Sequence, residues 1–187
     1  MGYALEFHAL DWDRLNRVLG CRDERVFNEV VKRQRAAIQT GICPVEPSWE
    51  DSLRTLIMDG NKAKAPVVSS KEALALVAVV RWINTCLGEI MHTTRGGGKF
   101  RSMFEPGFAR QFQATTDWRY LLNRPLVALE HQGYPSWGGL RTAELAGVFV
   151  KEPPALEDPD FEQWIYELRR YIGDANASRR DLITLYL

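Results

Sequence analysis

The chain opens in strict alternation. Tyr3, Leu5, Phe7 and Ala9 take one set of positions and Ala4, Glu6, His8 and Leu10 the other, so a strand here turns one wholly apolar face toward a core. It closes on Asp181-Leu182-Ile183-Thr184-Leu185-Tyr186-Leu187, a second run rich in β-branched and apolar residues. A terminal apolar strand must pair with something, and the other end of the chain is the simplest partner. Between these ends the dominant period is helical. Asp11 predicts an N-cap for a short helix over 12–19, stopped by Gly20. Phe27, Val30, Val31 and Ile38 form the stripe of a helix over 23–39 that Gly41 ends. Ser48-Trp49-Glu50-Asp51 resembles a capping box for a third helix, ending near Met58.

Ser69-Ser70-Lys71-Glu72 is a better capping box and starts the longest helix, over 70–91. Its stripe is Ala73, Leu76, Val77, Val80, Ile83, Leu87 and Ile90. Leu74, Ala75, Val79 and Trp82 add apolar surface elsewhere, so the first half should be central and buried. The segment 92–99 reads as a basic, Gly-rich loop. Short helical pieces are expected at 108–114 and 118–123, and 126–129 fits a strand or a helix. A Gly-, Pro- and aromatic-rich loop covers 133–139, and Thr142 caps a short helix through Ala146. Asp158-Pro159 starts the final helix, whose stripe is Phe161, Trp164, Ile165, Leu168, Tyr171 and Ile172; Gly173 should end it. These elements predict an α+β fold: a helix-rich single domain over residues 1–187, with a small sheet containing the N- and C-terminal strands.

Composition narrows the class. Lys+Arg and Asp+Glu are both 24, so the chain lacks the basic excess of a non-specific nucleic-acid binder, and nucleic acid is not an expected partner. The longest nearly continuous apolar run, residues 73–80, is far too short to span a bilayer. The opening lacks the charged segment and apolar core of a signal peptide, so the expected location is the cytoplasm. Cys21, Cys43 and Cys86 are odd in number and too far apart for a metal knuckle, which predicts reduced thiols and no bound metal. No cofactor is expected.

Four segments carry candidate chemistry. Arg95-Gly96-Gly97-Gly98-Lys99 evokes a phosphate-binding loop. However, Thr93 stands where that motif needs Gly, Phe100 stands where it needs Ser or Thr, and the segment follows a helix, not a strand. It reads as a surface loop. Arg81, Thr85 and Glu89 recur at i, i+4 and i+8, and His92 continues the line; a Glu and a His on one face can divide acid and base roles. The plainer reading is a solvated stripe with a hydrogen-bond ladder. Glu130-His131, with His8 and His92, completes the histidines, and none has helical ligand spacing to another. Tyr134-Pro135-Ser136-Trp137-Gly138-Gly139 places aromatic rings beside glycines, good contact material if Trp137 is exposed and a core plug if it is not.

The two ends also carry a resemblance. Met1-Gly2-Tyr3-Ala4-Leu5 with Asp11 and Leu15, and Trp164, Tyr171 and the closing Asp181-Leu182-Ile183-Thr184-Leu185-Tyr186, resemble an uncharacterised bacterial family of small cytoplasmic proteins. Its members start on a short strand, have a helical middle and end on a strand. The resemblance covers the ends and not residues 42–133. It implies an α+β domain and brings no activity or catalytic residue with it.

The resulting expectation is a non-enzymatic cytoplasmic binding or regulatory protein, partner-binding or toxin-neutralising, with a protein as partner and Tyr134 and Trp137 in the contact. The first alternative is a small-molecule enzyme using Arg81, Glu89 and His92. The second is a nucleic-acid-linked regulator acting through the basic segments 32–35 and 95–101.

Overall fold

The computed structural model describes residues 4–39, 49–59, 70–87, 91–95, 112–113, 118–121, 124, 136–150 and 159–186. The expectations for 126–129, Glu130-His131 and the Gly96–Gly98 run lie outside them. The fold is α+β, and both ends of the chain enter one sheet. That sheet has four strands: β1 (Ala4–Leu10), β2 (Met91–Arg95), β4 (Ser136–Leu140) and β6 (Asp181–Tyr186), in the order β2-β1-β6-β4. A second sheet pairs β3 (Phe112–Gln113) with β5 (Phe149–Val150) antiparallel. The helices are α1 (Trp12–Val18), α2 (Glu24–Gln39), α3 (Trp49–Met58), α4 (Ser70–Leu87), α5 (Thr142–Leu145) and α6 (Pro159–Ala177), with a 3-10 turn at Trp118–Leu121. The chain divides into two compact units.

The sheet unit comprises Met1–Leu10, Ile90–Arg124 and Trp137–Leu187. β1 is antiparallel to both neighbours, with Phe7 opposite Thr184 on β6 and opposite His92 on β2. Leu5, Phe7 and Ala9 share a face, as their alternation predicts, and join Leu182 in a core with Trp164, Ile165, Leu168, Tyr171 and Ile172 of α6. Phe7 lies at its centre, its ring 4.8 Å from that of Tyr171 and 5.7 Å from that of Trp164. Burial, and the nearby Glu167 carboxylate, hold the Tyr171 phenol above its ordinary range. The other face of β1 is buried as well: Glu6, His8 and Leu10 are all inside.

Two strands replace expected loop. Residues 91–95 form β2, so the long helix does not reach Met91; it is described over Ser70–Leu87. A helical continuation would leave the exposed side of β1 unpaired, and its backbone groups are satisfied by β2 instead. Ser136–Leu140, most of it within the segment 133–139 expected as loop, is strand β4 beside β6.

The final helix also runs past its expected stop. Gly173 is exposed within α6, and the helix continues to Ala177. The true end is a Schellman closure. Arg180 N–H donates to the Ala175 carbonyl, Arg179 N–H donates to the Asn176 carbonyl, and Arg179 takes the left-handed conformation with φ 53°. Glycine at position 173 costs helix stability without serving a turn, and a Cβ there would meet nothing within 4 Å. Gly173→Ala should therefore raise stability by about 1 kcal/mol, measured by denaturant unfolding.

The helical unit comprises Asp11–Glu89 and Pro125–Ser136. Asp11 caps α1 as predicted, its carboxylate accepting from Arg14 N–H at 3.0 Å. α3 contacts α2 and α4. Residues 75–80 of α4 are all buried, which matches a helix apolar on every side. Ion pairs Arg35–Glu50 and Arg54–Glu24 tie α2 to α3 along the rim. The α1–α2 turn closes on α3, with Gly20 N–H and Arg22 N–H donating to the carbonyls of Leu56 and Ile57, which the helix leaves without partners.

Candidate functional site

The segment that the sequence marks as contact material does lie at a distinctive place, but a different side chain faces solvent. On β4, alternation separates Trp137 from Gly138 and Leu140. Leu140 joins the Phe7 core, while Trp137 is 5 % exposed on the opposite side. Trp137 is therefore a plug and lacks the exposure that an anchor needs. Strands β1, β4 and β6 are buried on both faces, so the large ring at a strand position is taken inside. Tyr134 lies outside the described residues.

Gly138 does allow a close approach, and it is intramolecular. A Cβ at this position would sit 2.2 Å from the Tyr120 carbonyl oxygen and 2.6 Å from that of Leu121. The 3-10 turn Trp118–Leu121 thus rests directly on the strand backbone, which only glycine permits. Leu121 drops from the turn into the core. Arg124 N–H donates to the Trp137 carbonyl at 3.2 Å and fixes the exit of the turn to the same strand.

Tyr120 is left facing outward at 38 % exposure. The Arg124 guanidinium lies over its ring, 4.7 Å from the centroid. That guanidinium is itself held: Nη1 donates to Glu144 Oε2 at 2.7 Å and reaches the Gly139 carbonyl at 3.4 Å. Glu144 Oε2 also accepts Arg141 N–H at 2.7 Å, as the third helical residue of a capping box does. Thr142, expected to cap this helix, is its first residue instead. Its N–H and Oγ1 donate to Asp181 Oδ1 at 2.7 and 2.9 Å, and Arg141 Nη1 donates to Oδ2 at 3.3 Å. Asp181, at the start of β6, is 8 % exposed. A chain of charge-assisted bonds therefore runs from the sheet through α5 to the ring of Tyr120.

A second feature lies on β1. His8 is fully buried, and its Nε2 stands 3.0 Å from Glu6 Oε2. With Glu6 ionised its oxygen only accepts, and Nε2–H is then the donor. The other ring nitrogen, Nδ1, has no hydrogen-bond partner among the described residues. The local cause is β-strand geometry: residues two apart fall on the same face.

The polar stripe of the long helix does not extend to His92. Arg81 is half-buried on α4, but α4 ends at Leu87 and His92 belongs to β2, so the line is not one helix face. Glu89 lies outside the described residues. In the basic segment 32–35, Arg35 is bound by both oxygens of Glu50, at 2.7 and 2.8 Å. Cys21 is an exposed free thiol. Among the described residues, no three His, Cys, Asp or Glu side chains gather as a metal site requires, and no helix is long and apolar enough to cross a membrane.

An α+β fold with a fixed surface aromatic is the class that this geometry defines. Over residues 1–187 the chain matches the model of a family described as Domain of unknown function (DUF7691), and it belongs to that family. No curated protein and no solved structure matches it.

Proposed function

We propose that the protein is a non-enzymatic binding protein of the cytoplasm, that its partner is another protein, and that Tyr120 is an anchor of the contact. One observation carries this reading: Tyr120 is an exposed aromatic ring seated on a guanidinium that Glu144 already holds. Such a ring presents apolar area and a hydroxyl while losing little conformational freedom on binding. The seat beneath it is built from the glycine strand that the sequence marks, with Trp137 inside and Tyr120 outside.

The test is quantitative affinity capture from the cells that make the protein, with three baits: wild type, Tyr120→Ala and Tyr166→Ala. Tyr166 of α6 is the other large exposed aromatic among the described residues, at 46 %, and serves as a control. The expected result is a protein retained at stoichiometric yield by wild type and Tyr166→Ala and depleted with Tyr120→Ala. Equal retention by all three baits would remove Tyr120 from the contact.

The Glu6–His8 pair favours a second reading, a small-molecule enzyme. A carboxylate against one nitrogen of an imidazole, with the buried Nδ1 lacking a hydrogen-bond partner among the described residues, is a pairing that acid–base chemistry can use once the site opens. Under that reading, conversion of a metabolite in a cell extract should be lost in His8→Gln and kept in Tyr120→Ala.

A further inference from the structure

We draw no further inference here: the strongest candidate, the buried Glu6–His8 pair on the central strand β1, belongs to the site already described, and nothing among the described residues shows what covers that face.

Discussion

Gly138→Ala is expected to destabilise the protein by about 3 kcal/mol, a large effect for a single methyl group. The added Cβ would overlap backbone atoms of Tyr120 and Leu121 on both sides of their peptide bond, the nearest at 2.2 Å. A flexible side chain could swing away from such a contact. These atoms belong to a turn pinned by Leu121 in the core and, three residues on, by the Arg124–Trp137 hydrogen bond. Either the turn lifts off β4 or the strand leaves its place beside β6. Both outcomes take Leu121 out of the core and Tyr120 off its guanidinium. Gly139→Ala makes a useful comparison because it lies on the other side of the same strand. Equilibrium unfolding in urea checks the prediction, and a midpoint for Gly138→Ala equal to wild type would mean that the turn is not seated as described.

The second large effect concerns the interior pair. His8→Leu should cost about 2 kcal/mol or more, because it removes the imidazole hydrogen bond from a buried carboxylate. Glu6 is 5 % exposed, so the lost bond is not replaced by solvent. Leu at both positions should recover most of that loss, since an apolar pair of similar volume suits a site whose neighbours on the strand face include Leu10, Ile183 and Leu185. The double-mutant cycle therefore carries the information. A coupling energy near zero would show that Glu6 and His8 sit side by side without depending on each other. If the double variant matches or exceeds wild type in stability, the pair is kept for something other than folding.

How much of this was legible in the sequence follows from the range of the forces involved. β1, β6 and the helices of the first half were legible because each is set locally: alternation for the strands, cap residues and apolar stripes for the helices. Asp11 and Pro159 are where capping rules place them. β2 and β4 were not legible. Met91-His92-Thr93-Thr94-Arg95 has no apolar alternation and becomes a strand because β1 offers unpaired backbone. Ser136-Trp137-Gly138-Gly139-Leu140 has poor strand propensity, and its glycine is explained only by a turn from elsewhere in the chain resting on it. The stop at Gly173 failed for the opposite reason: a valid local signal was overridden, while a non-glycine residue, Arg179, adopted the left-handed closure.

The site was legible in place but not in detail. The sequence singled out the Trp137-Gly138 segment on composition, and the burial of Trp137 depended on both sheet faces being covered. No local signal marks Tyr120. Its exposure and its contact with Arg124 follow from the seating of the turn on Gly138 and from Glu144, twenty residues on from Arg124. Of the polar stripe Arg81, Glu89 and His92, the last lies on strand β2 and not on α4, because periodicity along a helix does not mark where pairing with β1 begins.

The most direct measurement is the dissociation constant of the captured partner, by calorimetric titration against wild type, Tyr120→Ala and Tyr166→Ala, with the melting temperature of each recorded in the same buffer. Tyr120→Ala is expected to weaken binding by roughly thirtyfold, about 2 kcal/mol, with its melting temperature near that of wild type, while Tyr166→Ala binds as wild type does. Equal affinity of Tyr120→Ala and wild type would contradict it.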